Sequence, residues 1–156
     1  MPDPHDALWL HEARVRPEWV DYNGHMSEAY YVLIFGEATD AFYDHVGLGE
    51  AYRQANKVSV YTLESHIRYL VEAPEGEAVR IATRLRSYDA KRLRLHHTMH
   101  RAGDAAVLAV TELIAMHVDK QEMRGIPFPA ARLQSFAKCA TPKPPPEPAQ
   151  RRHWQP

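Results

Sequence analysis

Cysteine is almost missing from this sequence. One residue, Cys139, in 156 cannot build an internal disulfide framework, and it suits a reducing cytoplasm. An excess of either charge is missing too. Lys and Arg number 19 against 20 Asp and Glu, and a formal net charge of −1 argues against a nucleic-acid partner held by bulk electrostatics. No apolar run reaches the roughly 18 residues that would span a bilayer, so no membrane partner is expected. The opening Met-Pro-Asp-Pro-His-Asp lacks the basic and apolar regions of a signal peptide, which again points to a cytoplasmic location.

What is present divides unevenly. From 138 to 156 the chain is dominated by Pro142, Pro144, Pro145, Pro146 and Pro148, and such a segment is expected to stay disordered. That leaves 1–137 as one domain, long enough for a proper core. No internal repeat is visible.

The domain is organised around Trp19-Val20-Asp21-Tyr22-Asn23-Gly24-His25-Met26-Ser27 and the apolar segment behind it. Asn23-Gly24 marks a tight turn, because both residue types tolerate positive φ. Ser27 is placed to cap a helix with its hydroxyl, and Glu28 suits the positive end of a helix dipole. Residues 29–46 are apolar almost all round in their first half, so this helix is expected to be buried. Gly47 stops it.

Around that helix the periodicity turns to two. Residues 9–15 are a strand candidate ended by Pro17. After a loop or short helix over 49–57, residues 58–69 alternate, with Val58, Val60 and Thr62 on one side and Tyr61, Leu63, Ile67 and Tyr69 on the other. Residues 79–86, 91–101 and 105–118 then follow with short links, as an antiparallel meander does. Residues 130–136 add a helical turn or two. The expectation is an α+β fold with an antiparallel sheet of about five strands.

The motif Val20-Asp21-x-x-Gly24-His25-Met26, with the strand-then-long-helix order, resembles the hotdog-fold acyl-CoA thioesterases of the 4-hydroxybenzoyl-CoA type. Residues 64–79 resemble that family's second strand and the turn after it. The whole block from Trp19 to Ser27 is similar to the betainyl-CoA thioesterases of bacterial carnitine breakdown. The resemblance covers 9–136 and leaves the proline-rich tail unexplained. It implies a sheet wrapped around one long helix, a homodimer or dimer of dimers with the site between subunits, and hydrolysis of a small acyl-CoA thioester. Betainyl-CoA, giving glycine betaine and CoA, is the first choice. A short-chain or aromatic acyl-CoA is the alternative, and a non-catalytic acyl-CoA-binding domain is the reading from another class. No cofactor is implied, coenzyme A being part of substrate and product.

Local grounds alone make Asp21 a turn-stabilising side chain. The resemblance makes it the catalyst, either as nucleophile on the thioester carbonyl or as general base for water. The helix start offers backbone N–H groups at Met26, Ser27 and Glu28 for the developing oxyanion. Gly24 lets the backbone turn closely, and His25 is read as a half-buried residue hydrogen-bonded to nearby backbone. Trp19, Tyr22, Tyr30, Tyr31, Tyr43 and Tyr61 cluster in sequence around this segment. Their faces suit a quaternary ammonium group, with Glu64 or Glu37 assisting, or else they simply pack a core or a subunit contact. By the resemblance, Lys91 and Arg92 lie near the nucleotide end of CoA, where their charge would hold phosphate. No metal is expected: His96 and His100 share a strand face but stand four residues apart, roughly 13 Å.

Overall fold

In the computed structural model, residues 7–141, Pro145 and Pro148 are described. The elements run β1 (Leu8–Arg14), α1 (Glu28–His45), α2 (Glu50–Asn56), β2 (Val58–Tyr69), β3 (Ala78–Tyr88), β4 (Arg92–Arg101), β5 (Val107–Asp119), the two-residue β6 (Arg124–Gly125) and α3 (Ala130–Cys139). The five long strands form one antiparallel sheet in the order β1-β3-β4-β5-β2, with β6 pairing on β5. The sheet wraps α1, which is the hotdog arrangement. A bridge from Leu85 to Ala140 and a bond from Thr141 N–H to the Leu85 carbonyl carry the ordered chain past 137. The expectation of a disordered tail falls almost wholly outside the described residues.

Helix α1 buries Tyr31, Ile34, Phe35, Ala38, Thr39 and Phe42, a stripe at the spacing of a helix face laid on a sheet. Its opposite side is not covered: Val32 and Leu33 are 49% and 44% exposed. The helix is therefore half-buried within one chain, not buried all round, because a single sheet can cover only one side of it.

A polar seam crosses the core under α1. The Thr39 hydroxyl donates to the Phe35 carbonyl, so it accepts from His97 Nε2–H at 2.8 Å, and the Thr83 hydroxyl donates to His97 Nδ1 at 2.8 Å. Full burial, with His96 and His11 nearby, holds the His97 imidazole neutral down to about 3.

Strand β2 departs from simple alternation. Its register against β5 slips between Thr62 and Glu64, leaving Leu63 as a bulge. Val60 and Thr62 lie opposite the inward-facing His117 and Ala115. Beyond the bulge, Ser65 and Ile67 lie opposite the inward-facing Leu113 and Thr111. Tyr61 and Glu64 pair with Met116 and Ile114 on the outer face. Ile67 and Tyr69 therefore do not share Tyr61's side.

Candidate active site

The segment before α1 is a small closed loop. A 3-10 turn at Pro17–Trp19 leads to a bridge between Val20 and Met26. Inside it the Gly24 N–H bonds the Asp21 carbonyl at 3.0 Å, and the Asp21 N–H bonds the His25 carbonyl at 3.3 Å. Gly24 takes φ +82°, and among Tyr22, Asn23 and Gly24 only this glycine turns left-handed. The Asp21 carboxylate contributes as well: its Oδ1 accepts from the Asn23 N–H at 2.8 Å. That is the turn-stabilising role expected on local grounds, and it occupies only one of the two oxygens.

The loop is anchored from both sides. The Met26 N–H donates to the Ala73 carbonyl at 2.8 Å, and the Ser27 N–H donates to the Trp19 carbonyl at 2.9 Å. Two of the three backbone donors read from the sequence as an oxyanion site are thus already engaged. Ser27 sits at the N-cap position, yet its hydroxyl makes no capping bond, and the Tyr30 N–H closes onto the Ser27 carbonyl. Of the first-turn donors, the N–H groups of Glu28 and Ala29 remain unspent among the described residues.

Asp21 and the start of α1 at Glu28 border one cleft of about 510 Å³, lined by Asp21, Tyr22, Asn23, His25, Met26, Ser27, Glu28, Tyr31, Tyr69, Val71 and Glu72. The structure therefore brings together Asp21, His25, Met26, Ser27 and Glu28 with Tyr22, which is 96% exposed at its rim. The His25 ring is half-buried and makes no hydrogen bond among the described residues, unlike the backbone-bonded role expected of it. Tyr69, Val71 and Glu72 were not legible as site residues. They arrive because β2 ends beside the Asp21 loop, where the Ala73 carbonyl takes the Met26 N–H.

Other expected residues lie elsewhere. Trp19 is buried and stacks on Tyr30 with ring centroids 5.5 Å apart, and the Arg16 guanidinium lies 5.2 Å from the Trp19 ring. Neither Trp19 nor Tyr30 lines the cleft. Tyr61 and Glu64 are turned away on the outer face of the sheet. Glu37 accepts from or donates to nothing in the cleft; it pairs with His11 Nε2 at 2.9 Å.

Lys91 ends the β3–β4 connection and Arg92 opens β4, at the end of the sheet opposite Asp21 and roughly 30 Å away along the strands. There the Asp89 carboxylate accepts from both of their backbone N–H groups and from the Arg92 guanidinium, which together hold it below the usual carboxylate range. Within one chain these two basic residues and Asp21 do not meet. His96 and His100 also part company. The His100 ring bonds the Ala105 carbonyl, while burial, with Arg84 beside it, pushes the His96 imidazole down to about 4.

A family profile for the Thioesterase-like superfamily matches residues 15–146. The chain is 40% identical over 144 residues to a betainyl-CoA thioesterase of Pseudomonas aeruginosa, covering 90% of this chain and 91% of that one. It is 45% identical over 129 residues to an L-carnitine dehydrogenase/betainyl-CoA thioesterase of Agrobacterium fabrum, spanning 83% of this chain but only 26% of that longer protein. The fold superimposes on a Staphylococcus aureus protein solved in complex with CoA at a TM-score of 0.82, with 26% identity over 96% of this chain and 94% of that one. It matches a proposed thioesterase from Pseudomonas putida KT2440 at 0.74, with 38% identity over 85% of this chain and 84% of that one. By motif, architecture and similarity over nearly its whole length, the chain belongs to the Thioesterase-like superfamily.

Proposed function

We propose that the protein hydrolyses betainyl-CoA to glycine betaine and CoA. The observation that carries the chemistry is that Asp21 and Glu28, the residue whose unspent N–H opens α1, line one open cleft. The Pseudomonas aeruginosa relative supports the choice of acyl group. Oδ1 of Asp21 holds the loop, and Oδ2 takes a proton from the attacking water as general base. The tetrahedral oxyanion is met by the first turn of α1, whose partial positive charge needs no cationic side chain. The carbon–sulfur bond breaks as the proton held on Oδ2 passes to the leaving sulfur, giving CoA as the thiol and returning Asp21 to its ionised form. The new carboxylic acid of glycine betaine loses its proton to water.

The working unit in this reading is a homodimer in the cytoplasm. Val32 and Leu33 on the uncovered side of α1 and the open edge of β2 border an apolar groove of about 480 Å³, the kind of surface a second copy covers. Pairing two β2 edges antiparallel about a two-fold sets the Val58 end of the partner beside the Tyr69 end of this chain. The β3–β4 connection lies at that same Val58 end, so Lys91 and Arg92 serve CoA at the partner's site and not at their own.

The test is thiol release from betainyl-, acetyl-, butyryl- and 4-hydroxybenzoyl-CoA by the wild type and Asp21→Asn. Preference for betainyl-CoA, lost in the variant, is expected. Preference for another thioester reassigns the substrate, and CoA binding without release makes the protein a non-catalytic binder.

A further inference from the structure

The cleft has a charge and a shape that the hydrolytic step does not require. Among its described lining residues, Asp21, Glu28 and Glu72 are carboxylates and none is Lys or Arg. Tyr31 and Tyr69 meet in its wall edge to face, with ring centroids 5.2 Å apart and planes at 87°. Their hydroxyls are tied to backbone: Tyr31 donates to the Val71 carbonyl at 3.3 Å, and Tyr69 to the Glu28 carbonyl at 3.5 Å. The hydroxyls thus fix the rings. The Tyr69 phenol is pushed up by burial and then by the Glu28 charge, so the corner lies in a negative field.

In a betainyl thioester the quaternary nitrogen stands two bonds from the reacting carbonyl carbon. Whatever holds the cation must therefore border the same cleft as Asp21. Within one chain, Glu37, Tyr61 and Glu64 do not border that cleft. A trimethylammonium group has no N–H to donate, so only aromatic faces and the field of nearby carboxylates recognise it.

We propose that Tyr31 and Tyr69, flanked by Glu28 and Glu72, hold the trimethylammonium group and make the enzyme selective for a cationic acyl chain. The inference rests on the betainyl-CoA reading above. It assigns specificity to residues on α1 and the end of β2 and leaves the chemistry to Asp21. Anionic acyl groups are repelled by the same carboxylates, and a neutral group of equal shape gains nothing from them.

The test compares betainyl-CoA with 3,3-dimethylbutyryl-CoA, in which a carbon replaces the nitrogen at the same shape. Each kcat/KM is divided by the alkaline hydrolysis rate of the same thioester, which removes the intrinsic electrophilicity of the cationic substrate. The normalised ratio is expected to favour betainyl-CoA by at least about tenfold in the wild type, as an aromatic site for a desolvated cation does. Tyr69→Leu lowers that ratio about tenfold, and Tyr69→Phe, which keeps the ring, holds it within about twofold. Glu28→Gln and Glu72→Gln each lower it about threefold, more at low salt than at high. Both are exposed carboxylates, so they carry the test even if Tyr69→Leu does not fold. A wild-type ratio near one overturns the inference while leaving the thioesterase standing. So does a ratio unmoved in Tyr69→Leu and in both Gln variants. No release from either thioester overturns the function reading and the inference with it.

Discussion

The proposed mechanism gives the two oxygens of Asp21 separate tasks, and a pair of substitutions takes them apart. Oδ1 accepts the Asn23 N–H at 2.8 Å and so holds the loop that leads into α1. Oδ2 has no hydrogen-bond partner among the described residues, and the proposal gives it the proton transfer. Asp21→Asn keeps an acceptor for the Asn23 N–H but cannot take a proton from water. Asp21→Ala removes both functions. General-base catalysis contributes about 10²–10⁴-fold, so both variants are expected to lose about that much in kcat for betainyl-CoA. Stability separates them. A hydrogen bond in a partly exposed turn is worth about 0.5–1 kcal/mol, and for a domain of this size each kcal/mol moves Tm by about 2–4 °C. Asp21→Ala is thus expected to melt about 1–4 °C below the wild type, and Asp21→Asn to melt with it.

The assay is continuous thiol release at saturating substrate, read beside thermal melts of the three proteins. An Asp21→Asn enzyme with near-wild-type kcat removes Asp21 from the chemistry. If Asp21→Asn melts as low as Asp21→Ala, the hydrogen bond to Asn23 depends on the charge and the division of labour between the two oxygens is wrong.

A single turnover in H₂¹⁸O is expected to place the label in glycine betaine at once, as direct water attack requires; unlabelled acid in the first turnover would make Asp21 the nucleophile instead. Acid is expected to destabilise the fold. His96 and His97 stay neutral in the native state down to about 4 and about 3, whereas the unfolded chain takes up protons near 6.5. Their contribution is complete above about pH 6.5 and is lost as pH falls toward 4, so the urea midpoint drops between pH 7.5 and 5.5; a flat midpoint contradicts it. Leu33→Glu puts a charge on the uncovered side of α1 and is expected to give a monomer in sedimentation, with turnover lost alongside; a dimer that survives it moves the contact elsewhere.

The large elements are legible because each has one strong periodic signal. The helix from Glu28 to His45 announces itself by apolar spacing, and its end by Gly47, which takes φ +81°. Strand β3 reads only in part: Val79, Ile81 and Leu85 are buried and Arg80 is exposed, as alternation requires, but Ala82 and Arg84 on the other face are buried as well. The hotdog order of strand, helix and sheet follows from those. What the helix pattern cannot convey is that Val32 and Leu33 face away from the sheet, because an all-round apolar helix reads the same whether one chain covers it or two.

The site divides along the same line between local and long-range signals. Asp21 and Gly24 are legible because the turn that holds them is closed by its own neighbours. The donors at Met26 and Ser27 are misread because their partners, the Ala73 and Trp19 carbonyls, come from the β2 exit and the 3-10 turn, and only the packed chain shows them spent. The aromatic wall is misread for a different reason. Alternation has a period of two, so one inserted residue reverses every assignment beyond it. Leu63 is that residue. Counting straight through it puts Tyr61 and Tyr69 on one face; counting the bulge sends Tyr61 and Glu64 outward and turns Tyr69 toward Tyr31. Leu63 is the residue left over between the Thr62–Ala115 and Glu64–Ile114 pairs, so deleting it keeps Tyr69 opposite Ala109. The preference for betainyl-CoA over its neutral isostere is therefore expected to survive; loss of the preference in that variant contradicts this account of the register.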